Sequence, residues 1–140
     1  MTFSATTYVA AYIGAALLFF AADFLWLGYV ASGFYRSQIG AMLAPEPNMV
    51  AAAGFYALYV IGIVLFAVTP GLVAGSWTTA LLWGALFGFF CYATYDFTNL
   101  ATLKDWPATV TIVDLSWGTT LTGAAAVAGF FAARLVGGEG

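Results

Sequence analysis

The sequence predicts an all-α integral membrane protein, an antiparallel four-helix transmembrane bundle formed as a single domain over residues 1–140. Three observations carry this. The chain is 64% hydrophobic and 6% charged, with a mean hydropathy of +0.98, so it lacks the polar residues to cover a water-facing surface. Its apolar residues fall into four runs, at about 5–31, 49–69, 78–101 and 107–135, each long enough to cross a hydrocarbon core of roughly 30 Å as a helix. The runs are continuous rather than alternating and far exceed the length of a barrel strand, which argues against a β-barrel.

The first run is preceded by no positive segment, since the first basic residue is Arg36. It therefore reads as a retained helix and not as a cleaved signal peptide. At about 27 residues it exceeds a minimal span, which predicts tilt or an interfacial end carrying "GYVASGFYRSQ". "APEPN" at 44–48 places two prolines and an asparagine before the second run, and "TPGLVAGSW" at 69–77 separates the second from the third. "KDWP" at 104–107 separates the third from the fourth, with Pro107 in a first turn, where its missing N–H costs nothing. Four alternating spans put the 32–48 and 102–106 connectors on one membrane face, and both termini with the 70–77 connector on the other.

Six acidic and three basic residues give a net charge of −3. Without a Lys/Arg cluster, charge points neither to nucleic acid nor to an anionic surface. Histidine is absent and Cys91 stands alone, which removes the usual ligands for haem, zinc or copper and any disulfide within the chain. No short-spaced oxygen-ligand loop, phosphate loop, nucleotide fingerprint or Ser-His-Asp arrangement occurs, so no metal or other cofactor is expected and soluble-enzyme classes drop out.

The acids are placed where lipid should be. Asp23, Asp96 and Asp114 lie about eight, five and seven residues from the ends of their runs, which at 1.5 Å per residue puts all three roughly 8–12 Å below the same face. Spacing gives each a partner on its own helix face: Asp23 with Trp26, Asp114 with Trp117, and Asp96 with Tyr92 and Asn99. The Asp-x-x-Trp pair is not a duplicated half, because the rest of the first and fourth runs does not align. Intramembrane ionisable groups usually mark a functional site, and three neighbouring carboxylates repel unless a proton or cation lies between them. Candidate ligand-binding residues are Asp23, Trp26, Tyr92, Asp96, Asn99, Lys104, Asp114 and Trp117, the tryptophans forming an aromatic wall beside a carboxylate.

The bland alternative makes the acids helix caps, or partners of Arg36 and Lys104 that fix the bundle. Lys104-Asp105-Trp106-Pro107 then reads as an interfacial turn with a snorkelling lysine, a capping aspartate and a belt tryptophan. Gly84 and Gly88 form a small-xxx-small pair that predicts close helix approach, within a protomer or between protomers of a homo-oligomer.

The combination "ADFLWLG", the Phe-Tyr pairs at 34–35 and 55–56, "YATYDFTNLATLKDWP" and "VDLSWG" resembles a family of small bacterial membrane proteins known as domain of unknown function 2177. The resemblance covers nearly the whole chain and implies a four-helix, multi-pass protein of the inner membrane, with no activity assigned. Residues and resemblance together lead to an acidic, aromatic-walled pocket for a small amphipathic or cationic ligand, in a binding protein or carrier surrounded by membrane lipids. A membrane-embedded enzyme acting on a lipid or isoprenoid, and an accessory subunit with structural polar groups, stay open. Arg36 and Lys104 against Arg134 and the N-terminal amine place the polar end on the cytoplasmic side by a thin margin.

Overall fold

A computed structural model describes residues 3–137. Every regular element in them is helical. Helix α1 (Ala5–Leu25) runs on into a wider π turn, Trp26–Val30, to complete the first span. A separate short helix, α2 (Ser32–Ile39), follows with a 3-10 turn at Gly40–Met42. The second span is compound: α3 (Met49–Ile63), a π turn at Val64–Val68 and α4 (Thr69–Ala74). Helices α5 (Trp77–Thr102) and α6 (Ala108–Gly137) are the third and fourth spans.

Short polar residues start the spans. Ser4, Asn48 and Ser76 each precede a helix in extended backbone and accept the N–H three residues on, at 3.1, 3.1 and 3.3 Å, satisfying a donor that lipid could not. The expected 69–77 connector contracts to two residues, because the second span continues through Pro70. The π turn just before the proline and the bond from the Thr69 hydroxyl to the Val64 carbonyl, at 2.8 Å, adjust the backbone around its missing N–H. Gly75 ends the span in the left-handed region, φ 64°, and Ser76 N–H returns to the Gly71 carbonyl at 3.0 Å. The first span likewise ends at Val30, one residue short of expectation, and "SGFYRSQI" forms α2 instead of a frayed interfacial end.

Helix α6 is the centre of the bundle, flanked by α5 and α1. Both contacts are made by small residues. A Cβ on Gly84 would lie 2.7 Å from the Ala126 methyl, and one on Gly88 would lie 2.5 Å from the Gly118 carbonyl oxygen. Against α1, a Cβ on Gly129 would lie 2.9 Å from the Ala11 carbonyl. Between apolar helices in lipid the hydrophobic drive is absent, so attraction comes from van der Waals contact and grows with close approach. The Gly84/Gly88 pair therefore does its packing inside the protomer.

Phe19, Val60, Ile63, Ala67, Leu121 and Phe130 fill the interior around this seam. The second span packs on α5 through α4 and its π turn, while its first half stands away, with Val50 85% and Leu58 70% exposed. The bundle is thus closed near the 75–76 turn and open at the α2 end. A Gly88→Val variant is expected to lose about 1–3 kcal/mol of stability by overpacking, whereas Gly54→Ala, with nothing within 4 Å of its new methyl, is expected to be tolerated. Thermal unfolding in detergent, followed by circular dichroism, measures both.

Candidate functional site

The open end holds the acids. Asp23 lies seven residues before Val30, Asp96 six before Thr102 and Asp114 six after Ala108, which is roughly 9–11 Å of helix below the same ends. Asp23 is 6% exposed and Asp96 is fully buried.

Asp23 and Asp114 take their donors from other elements. Asp23 on α1 accepts the Tyr56 hydroxyl of α3 on Oδ2 at 2.5 Å and the Trp117 indole N–H of α6 on Oδ1 at 3.0 Å. Asp114 on α6 accepts the Tyr35 hydroxyl of α2 on Oδ1 at 2.8 Å, and the Tyr35 oxygen in turn accepts the Trp26 indole N–H at 3.1 Å. The two Asp-x-x-Trp pairs are therefore crossed: Trp117 serves Asp23, and Trp26 serves Asp114 through a tyrosine. Crossing requires the two indoles to meet. They stack at 4.4 Å between centroids with 6° between planes.

Asp96 is different. Neither of its carboxyl oxygens has a hydrogen-bond partner among the described residues, and Asp114 lies one turn along α6 from Thr111, which touches the Asp96 backbone. The Asp96 backbone carbonyl accepts the Thr111 hydroxyl at 3.2 Å, and Thr111 accepts the Trp106 indole N–H at 3.0 Å. Trp106, expected in an interfacial belt, is instead buried with Ile39 and Val110 against Phe34 and Tyr35. It seats α2 on the bundle.

Two cavities meet at this network. The inner one, about 390 Å³, is walled by Phe55, Tyr56, Tyr59, Tyr92 and Trp117, with Asp23, Cys91 and Asp114 among its lining. The outer one, about 520 Å³, lies under α2 and the following connector and includes Tyr35, Arg36, Trp106 and Asp114. Leu27, Tyr95 and Asp114 line both. The inner cavity borrows walls from α3 and α5, where the second span stands off, so large aromatic side chains rather than close backbones define that gap.

The sequence candidates are thus unevenly placed. Asp23, Tyr92, Asp114 and Trp117 line the inner cavity, Trp26 stacks behind it, and Asp96 is buried beside Asp114. Asn99 is half-buried and Lys104 exposed, and neither lines either of these two cavities. Tyr35 and Tyr56, which satisfy two of the acids, are absent from the sequence candidates. Their signal lies in the two Phe-Tyr pairs, but nothing in a pattern says which carboxylate a distant phenol will reach.

Four spans and an inward acid–phenol–indole network define a multi-pass membrane protein built around a buried polar site. The chain belongs to the family described as predicted membrane protein (DUF2177), which matches residues 8–131. No curated protein and no solved structure matches it.

Two measurements test the network. Trp117→Phe keeps an aromatic ring but removes the Asp23 donor, and it is expected to lose about 1–2 kcal/mol together with the far-ultraviolet exciton couplet of the indole pair. Burial pushes the Tyr35 phenol up from its ordinary value, opposed by the Trp26 hydrogen bond and reinforced by the charge of Asp114. Folding thus favours its neutral form, so this contribution is complete below about pH 10 and is lost as pH rises beyond it. A Tyr35→Phe variant is expected to show a shallower alkaline loss of melting temperature.

Proposed function

We propose that the protein binds small amphipathic molecules with a cationic or hydrogen-bond-donating head, as a binding protein or carrier of the inner membrane. The observation that carries this reading is Asp114. It borders both cavities, and Tyr35 uses only its Oδ1, which leaves Oδ2 for a ligand donor. Aromatic faces around a carboxylate attract an ammonium or similar cation, and their bodies accept an apolar tail. The inner cavity, at about 390 Å³, falls within the usual range of small-molecule sites.

Asp23 and Asp114 find donors within this chain, which weighs against an accessory subunit whose polar groups await a partner helix. The tight α5–α6 seam beneath the cavities supports one-sided binding more than passage through a single protomer. A membrane-embedded enzyme acting on a lipid or isoprenoid shares that one-sidedness and is the second reading, with Asp114 and Asp96 as the proton-handling pair. Membrane lipids and a homo-oligomer are the partners this placement invites, with the oligomer contact lying outside the Gly84/Gly88 face.

The test is a native mass spectrum and lipid extract of the gently purified protein, beside an Asp96→Asn/Asp114→Asn double variant of matched stability. A molecule retained by the wild type and lost from the double variant is expected. Equal occupancy in both, or none in the wild type, would remove the reading.

A further inference from the structure

We infer that Asp96 and Asp114 form a proton-binding site, holding one proton between two carboxyls, and that a cation arriving in the inner cavity displaces it. The first half stands on geometry alone. Asp96 is fully buried, neither of its oxygens has a donor among the described residues, and a second acid, Asp114, lies one turn along α6 from Thr111, which bonds the Asp96 backbone. An ionised carboxylate with no donor in such a place costs several kcal/mol or more. Two carboxylates cannot satisfy each other, but a carboxyl and a carboxylate can, through one O–H···O bond.

Among the described residues, no surrounding group supplies the missing donor instead. From α2, Tyr35 gives its hydroxyl to Asp114 Oδ1, and Arg36 is exposed at the outer cavity. From α1, Asp23 is occupied by Tyr56 of α3 and Trp117. From α5, Tyr92 and Tyr95 line the inner cavity. None of these hydroxyls or cations is hydrogen-bonded to Asp96. Asp23, by contrast, has one donor on each oxygen and is satisfied as a carboxylate.

The second half rests on the binding reading above. A cation seated between Asp114 Oδ2 and the Asp96 carboxyl brings to both acids the positive charge that the shared proton otherwise supplies, so one proton leaves through the outer cavity to water as the cation enters. Charge in the site is conserved and no other co-reactant is needed. This exchange gives the protein a thermodynamic link between ligand and pH that a plain aromatic pocket lacks.

The experiment is infrared spectroscopy of the full chain in detergent at neutral pH. A protonated carboxyl C=O band is expected in the wild type, lost in Asp96→Asn and in Asp114→Asn, and unchanged in Asp105→Asn. Either amide can replace the shared O–H as donor, and the indole exciton signal reports whether each variant is folded. Should one variant fail to fold, the other reads the same pair. Absence of the band, or its survival in a folded variant of either acid, overturns the proton site.

Tetraphenylphosphonium is then added to weakly buffered wild-type protein containing a pH dye, with binding read by tryptophan fluorescence. Release of one proton per bound cation supports the exchange. Binding without release overturns the exchange while leaving the binding reading intact. A carboxyl band without any binding supports the proton site and rejects the exchange together with the cationic reading on which it rests.

Discussion

The structure depends on three carboxyl groups, Asp23, Asp96 and Asp114, carried inside membrane-spanning helices. Lipid offers no donor there, so each carboxylate must be satisfied from inside the protein or carry a proton. Asp23 meets this demand with a phenol from the second span and an indole from the fourth, which ties three spans at one point. Asp114 meets it with Tyr35, which draws α2 down onto the end of the bundle. The position of an otherwise weak eight-residue helix is thus fixed by the need of an acid two spans away, with Trp106 packing as the apolar half of the same anchor.

The two ends of the bundle follow opposite packing rules, and the cavities result from the difference. Toward the 75–76 turn, Gly and Ala let α6 approach α5 and α1 until backbone meets backbone. Toward α2, the facing positions carry Phe55, Tyr56, Tyr59, Tyr92 and Trp117. Rings of that size lie between the first half of the second span and the rest of the bundle, and their edges do not fill the gap completely. One consequence is a site closed on one side and reachable on the other. That asymmetry supports the proposed one-sided binding over simple alternating access more than any single residue does.

Stacking of Trp26 on Trp117 is the hinge of the polar network, because it brings the first and fourth spans to a distance at which each indole can serve the other's acid. Structural and cavity-lining roles coincide in one side chain. The same Trp117 that satisfies Asp23 also walls the inner cavity, so a ligand entering that cavity touches a side chain already engaged in holding the spans together.

Much of the fold was legible in the sequence. Four apolar runs and the connectors with their prolines and asparagine determined the spans to within a few residues, since in lipid a helix is the one open-chain structure that satisfies its own backbone. The common depth of the three acids was equally readable, being arithmetic along a helix. Pro70 misled the reading of the second span's end, because a π turn and a threonine hydroxyl can absorb a proline that composition alone treats as a stop. Helical phase placed Asp23 with Trp26 and Asp114 with Trp117 on shared faces. It could not say that the tryptophans would be exchanged between acids, that Tyr35 and Tyr56 would complete them, or that Asp96 would be left without a donor. Periodicity describes one helix at a time, whereas a hydrogen bond between residues 23 and 117 depends on how two helices are rotated and spaced, and that was decided by the small-residue seam of α6.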